Sequence, residues 1–156
     1  MFGYHICKSK KGDLEQILKI EEASFLDPWP RELFEAEFET KELSHFYVIH
    51  PRFRRAILGY VIFWKVADEM HILNIAVHPR YRRRGIGKLL LRATLDAYPP
   101  EQVRLIVLEV RRSNVAAQLL YKSFGFEVVE VKSGYYRNLD DALVMIKKYD
   151  ESKTYS

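Results

Sequence analysis

Apolar positions recur along this chain at two periods, near two and near 3.6 residues, and the switches between them mark its elements. "YHICKS" reads as a short strand. In "KGDLEQILKIEEASF" the apolar Leu14, Ile17, Leu18 and Phe25 fall at helical spacing, and Asp13 stands where a helix start favours an acidic cap. "LDPWPRELFEAEFE" breaks at Pro28 and Pro30 and resumes as a second short helix, because proline suits the first turn and disrupts the interior. A rigid loop carrying an aromatic side chain is therefore predicted between the two helices.

"HFYVIH" and "AILGYVIFWKV" are rich in aromatic and β-branched residues and predict a hairpin across the basic "PRFRR" turn. "MHILNIAVHP" predicts another strand ended by Pro79, and "GIGKLLLRATLDAYPP" a helix that begins at glycines and stops at Pro99 and Pro100. "VRLIVLEV" is almost continuously apolar, the pattern of a strand covered on both faces. "SNVAAQLLYKSFG" predicts a helix capped by Ser113 and ended by Gly125, and "FEVVEVKSGYY" with "ALVMIKKY" predicts two closing antiparallel strands. The order β-α-α-β-β-β-α-β-α-β-β gives seven strands and four helices, an α/β or α+β domain with a mixed sheet.

Length and composition narrow this picture. At 156 residues, with 48% hydrophobic and 29% charged residues, the chain has the profile of a globular protein with one core. A single domain is expected over 1–150, followed by a short tail at 151–156. No apolar run approaches the ~20 residues of a membrane span, and "MFGYHICKSKKGD" lacks a signal-peptide core, so a cytoplasmic location is expected. Cys7 is the only cysteine, so neither an internal disulfide nor a cysteine-based zinc site is expected; it is expected to be an inert core thiol in the first strand. His5, His45, His50, His71 and His78 form no HxH or HExxH pattern, so no metal is predicted.

Charge changes the picture more than its sum suggests. The net value is only +4, but the basic excess is concentrated in "PRFRRA" and "HPRYRRRG", which suits a local polyanion better than a duplex. In the second of these, Gly85 and Gly87 stand between the end of an apolar strand and the start of an amphipathic helix. Glycine lets the backbone approach a ligand, and the first N–H groups of the helix lack internal partners and carry the positive end of its dipole. Arg82 and Arg84 would add charge at the rim of such a phosphate site. The plain alternative is a solvated helix start. Neither GxxxxGK[ST] nor GxGxxG is present, which excludes a P-loop and a dinucleotide-binding turn.

What stands there is RxxGxG, Arg82 to Gly87, following "NIAV" and "HP" and followed in order by "LEVRRSNVAAQLLYKSFGF" and "GYYRNLDDALVM". Over nearly its whole length the chain resembles the GNAT family of acetyltransferases, in particular the RimI and Ard1-like protein N-terminal acetyltransferases. The resemblance implies a mostly antiparallel seven-stranded sheet, splayed between strands four and five and flanked by four helices. It implies acetyl-CoA as cosubstrate, with the backbone of Ile75, Ala76 and Val77 along the pantetheine arm. Arg82, Arg83, Arg84, Gly85, Ile86, Gly87 and Lys88 would then surround the pyrophosphate, and Asn114 would be a further cofactor contact, its alternative role being a helix cap.

Amide formation from a thioester needs a base, because an α-amino group titrates near ~8, and a donor for the leaving thiolate, which a neutral phenol can supply. Glu109, inside an apolar strand, is one carboxylate whose desolvation could raise its pKa; the alternative is an ion pair with Arg111 on the same strand face. The family resemblance favours Glu109 as base and Tyr121, two helical turns after Asn114, as acid. Glu21 and Glu22 are the other candidate bases. Tyr135 and Tyr136 on one side, and Pro28 and Trp29 on the other, are expected to bind the acceptor. The expected reaction is direct transfer of acetyl from acetyl-CoA to a protein N-terminus, a ribosomal protein being one candidate acceptor. Rival readings are acetylation of a lysine side chain or small polyamine, and a non-catalytic RNA- or ribosome-binding module. Direct nucleic-acid binding and membrane association are not expected, and the chain is expected to be a monomer or weak dimer.

Overall fold

A computed structural model describes residues 3–137 and 140–149; the tail expected at 151–156 lies outside the described residues. Its elements are β1 (Tyr4–Lys8), α1 (Leu14–Ser24), α2 (Arg31–Glu39), β2 (Ser44–Pro51), β3 (Gly59–Val66), β4 (Glu69–Val77), α3 (Ile86–Leu95), β5 (Leu105–Arg111), α4 (Val115–Ser123), β6 (Glu127–Lys132) and β7 (Ala142–Lys148). The strand and helix order is the one predicted. Short 3-10 turns at Lys11–Asp13, Pro79–Tyr81 and Pro100–Gln102 precede α1, α3 and β5.

The seven strands make one open sheet in the order β1-β2-β3-β4-β5-β7-β6. Pairing is antiparallel for β1 with β2, β2 with β3, β5 with β7 and β6 with β7. The pairing of β4 with β5 is parallel and short, from Glu69↔Leu105 to Ile72↔Leu108, while β4 runs on to Val77 and β5 to Arg111. The sheet is thus splayed where the resemblance implied.

Contacts gather the chain into two compact units, residues up to Trp64 with Asn74–Ala97, and Lys65–Leu73 with the chain from Tyr98 onward. In the first unit Ile17, Ile20, Phe34, Val48, Ile49, Tyr60, Leu90 and Leu91 are fully buried. The Phe34 ring meets Tyr60 edge-on at 5.9 Å, an arrangement that adds to its area burial. In the second unit Met70, Ile106, Phe126 and Met145 form the buried centre. Among the described residues no helix is long and apolar enough to cross a membrane.

Several expectations are corrected. β5 is not covered on both faces: Ile106, Leu108 and Val110 are buried while Leu105 and Val107 are half-buried and Glu109 is exposed. Its continuous apolar run reflects the preference of a pleated strand for branched residues, not two-sided burial. Asn114, not Ser113, caps α4, accepting from the Ala117 N–H at 3.2 Å. The Ser113 hydroxyl instead donates to Asp140 at 2.5 Å. Asp13 makes no side-chain cap to α1; it is buried, accepts the Lys10 N–H at 2.8 Å and holds Arg55 through both carboxylate oxygens at 2.8 and 2.7 Å. Burial alone would raise its pKa, but the bonds from Arg55 and Lys10 outweigh this and hold the carboxyl below its usual range. Cys7 is half-buried on β1 at one margin of the sheet, not a core thiol.

Candidate active site

The candidate anion turn is built as its glycines suggest. β4 ends at Val77, and His78 caps a 3-10 turn by accepting the Arg80 N–H on Nδ1 at 3.1 Å. Arg82 is extended, Arg83 and Gly85 take left-handed backbone with φ of 64° and 80°, and α3 begins at Ile86. Left-handed backbone costs a non-glycine residue on the order of 1 kcal/mol, and such strain held in a loop is characteristic of ligand sites. A Cβ at Gly85 would meet nothing within 4 Å, so glycine is required there by φ and not by crowding. The first N–H groups of α3 have no partner within the helix.

The side chains divide the work unevenly. Arg82 does not stand free at a rim: its Nε donates to the Val77 carbonyl at 3.0 Å and its Nη2 to Ser24 Oγ at 2.9 Å, which braces the turn against β4 and the end of α1. Arg84 lies over the Tyr81 ring at 5.4 Å. Arg83, Arg84 and Lys88 are exposed. Ile86 is buried and can contribute only its backbone.

The three residues expected along the pantetheine arm are not equivalent. Ala76 turns its carbonyl to β3, where a Cβ on Gly59 would come within 2.8 Å of that oxygen. Gly59 is thus demanded by close approach of two strands, a role its sequence context did not reveal. Because backbone groups alternate sides along a strand, Ile75 and Val77 face the other way, beyond the end of the ladder at Ile72. The Val77 carbonyl is already taken by Arg82. Ile75 and the Val77 N–H are the groups an added strand could use.

Below this edge sits a buried polar network that the sequence reading missed. Glu21, 1% exposed, accepts from the Tyr60 hydroxyl, from Asn74 Nδ2 at 2.8 Å and from the Trp29 N–H at 2.8 Å. Burial, then the Glu21 charge, drives the Tyr60 phenol far up, so it stays a donor. Glu21 therefore ties the loop between α1 and α2 to β3 and β4, and all its strong donors are structural. It is no free base, and Glu22 is exposed. Trp29 packs on Phe34 at 5.2 Å, while Pro28 is exposed. The signal for Glu21 was present: with Leu14 and Ile17 it occupies positions i, i+3 and i+7 of one helix face.

In the second unit, Tyr121 on α4 is buried, and burial, then the nearby Tyr136 phenol, raises its pKa well above the usual phenol value. It is protonated across the physiological range. Tyr136 lies under the Arg111 guanidinium at 4.0 Å, and Arg111 also faces Asp140 at 3.8 Å. Arg111 is thus not the partner of Glu109; Lys132 of β6 is, at 3.4 Å. The same ammonium lies over the Tyr135 ring at 5.2 Å, so Lys132 links Glu109 to the connection between β6 and β7. Glu109 is exposed, which removes the desolvation expected for it. Strand alternation explains this: with Leu108 and Val110 turned inward, residue 109 points outward. Asn114 is exposed, and its side-chain oxygen is used as the cap of α4. Tyr135 is exposed and stands perpendicular to Tyr136 at 5.1 Å.

Known proteins share this architecture. The model of the acetyltransferase (GNAT) family matches residues 14–126. A Bacillus subtilis (strain 168) protein provisionally named ribosomal protein bS18-alanine N-acetyltransferase is 37% identical over 134 residues, 85% of this chain and 87% of that one. The ribosomal protein bS18-alanine N-acetyltransferase of Escherichia coli (strain K12) is 32% identical over 136 residues, 85% of this chain and 89% of its own length. The crystal structure of the ribosomal-protein-S18-alanine N-acetyltransferase from Escherichia coli superimposes with a TM-score of 0.84 at 29% identity, covering 95% of this chain and 97% of that one. With the splayed sheet and the glycine turn in their places, the chain belongs to the acetyltransferase (GNAT) family.

Proposed function

We propose that this enzyme is a protein Nα-acetyltransferase that transfers acetyl from acetyl-CoA to the α-amino group of a protein N-terminus, with a ribosomal protein N-terminus beginning in alanine as the first candidate acceptor. The observation that carries the reading is likeness over nearly the whole of both chains to enzymes named for that reaction. Its work is then cytoplasmic.

Acetyl-CoA enters as substrate. The exposed Arg83, Arg84 and Lys88 and the first N–H groups of α3 hold its pyrophosphate, and Arg82 keeps that turn in shape. Ile75 and the Val77 N–H pair with the pantetheine amides as an added strand would. The neutral amine attacks the thioester carbonyl carbon, the C–S bond breaks, and the amine proton passes to Glu109 through water. Tyr121, kept protonated by burial, gives its proton to the leaving sulfur. Lys132 holds the Glu109 carboxylate in place, and Tyr135 and Tyr136, with Pro28 and Trp29, bind the acceptor backbone.

Thiol release from acetyl-CoA, measured against peptides with free N-termini and matched peptides with blocked N-termini and internal lysines, tests the reaction class. Turnover confined to free N-termini, led by those beginning in alanine, is expected. Turnover on blocked, lysine-bearing peptides would overturn it in favour of side-chain acetylation.

A further inference from the structure

We propose that His5, Cys7 and His50 form a binding site for a soft divalent transition metal ion of the zinc class, built on β1 and β2 from residues that the acetyl-transfer reading does not use. The three come together through sheet register. On β1, His5 and Cys7 are two residues apart and so share a face. His50 on β2 is directly opposite His5 and diagonal to Cys7, which itself faces Val48. One donor atom from each lies within 4.8 Å of the others.

The distances suit such an ion. Tetrahedral zinc, with bonds of about 2.3 Å to sulfur and about 2.0 Å to nitrogen, sets a sulfur-to-nitrogen edge of about 3.5 Å. Cys7 Sγ lies 3.6 Å from His50 Nε2. Closing the remaining edges falls to His5, whose side chain is exposed and can turn. His50 is buried and already oriented: its Nδ1 faces the carbonyls of Pro51 at 2.7 Å and Arg54 at 3.1 Å, so Nδ1 carries the proton and Nε2 presents its lone pair toward the thiol. A backbone carbonyl on the second ring nitrogen is the support that metal-bound histidines characteristically have.

Arg55 bears on the same sulfur, with Nη1 3.4 Å from Cys7 Sγ. A bare cation there would oppose a metal ion. Here Asp13 neutralises it through two bonds of 2.8 and 2.7 Å, leaving an N–H donor directed at the sulfur. Two imidazole nitrogens and one cysteine sulfur select zinc-class ions over magnesium or calcium, which prefer oxygen. Bound there, the ion would staple the marginal strand β1 to β2.

The test is titration of the untagged, chelator-treated protein with cobalt(II), followed by competition with zinc. One cobalt per chain with a thiolate-to-cobalt charge-transfer band in the near ultraviolet, displaced by zinc, is expected. His5→Ala should weaken cobalt binding at least about 10-fold with the band retained, and Cys7→Ser should abolish the band. Zinc should also raise the Tm of the wild type and not that of Cys7→Ser. Acetyl-transfer activity of each variant serves as the check on folding and is expected to be unchanged. Absence of the band in the wild type, or equal cobalt affinity in the wild type and folded Cys7→Ser, would overturn the site whatever the acceptor of the enzyme proves to be.

Discussion

Replacing Glu21 with leucine removes one acceptor from three donors at once, and the cost follows from the geometry. The Tyr60 hydroxyl, Asn74 Nδ2 and the Trp29 N–H all converge on this buried carboxylate. A donor left buried without an acceptor costs about 1–3 kcal/mol, so three give roughly 3–9 kcal/mol. Relief of the several kcal/mol spent desolvating the carboxylate offsets part of this, leaving about 3 kcal/mol, at the lower end of values for breaking a buried charged pair. For a chain of this size each kcal/mol lowers Tm by about 2–4 °C, so a fall of roughly 6–12 °C is expected. Urea denaturation of the wild type, Glu21→Leu, Tyr60→Phe and the double variant measures it. The double variant should be at least about 0.5 kcal/mol more stable than additivity predicts, because the phenol that leucine strands is then absent. Glu21→Leu within about 0.5 kcal/mol of the wild type, or strict additivity with Tyr60→Phe, would refute the network as the anchor of the Trp29 loop.

Tyr121→Phe keeps the ring packed on Phe126 at 5.9 Å and removes only the proton donor; kcat should fall by on the order of 100-fold with little change in Tm, and unchanged kcat removes the acid assignment. His45 gives a pH signature. Burial, then the Lys8 charge, lowers its pKa below the usual value of 6.5. Above that value both states are neutral there; as pH falls through it the unfolded chain takes the proton first, and stability drops until the folded pKa is passed. Denaturation from pH 8 to pH 5 should show this loss in the wild type and lack that component in His45→Gln; parallel curves would exclude it.

The hydrophobic periods reported the element order correctly because strand and helix spacings are local properties of the chain. They failed where burial depended on a neighbour. In "VRLIVLEV" no polar residue stands between Arg104 and Glu109, so alternation was invisible, and only the inward turn of Leu108 and Val110 reveals that Glu109 faces out. Glu21 is the converse case, a charge on an otherwise apolar face whose burial makes sense only with Tyr60 and Asn74 beside it. Arg82 looked like an anion ligand by its place in RxxGxG, and its bonds to Val77 and Ser24 make it a brace.

By itself, the sequence determined the glycine turn before α3, the proline-bounded loop at Trp29, the cap position of α4 to within one residue, and the family resemblance. Each rests on backbone conformations or spacings that a few adjacent residues dictate. Tertiary structure alone decided which carboxylate is buried and which is exposed, that Lys132 and not Arg111 meets Glu109, and that His5, Cys7 and His50 converge. The physical reason is that packing joins residues far apart in the chain, and along the strands a register shift of one position would turn the side chains of Glu109, Lys132, His5, Cys7 and His50 to the opposite face.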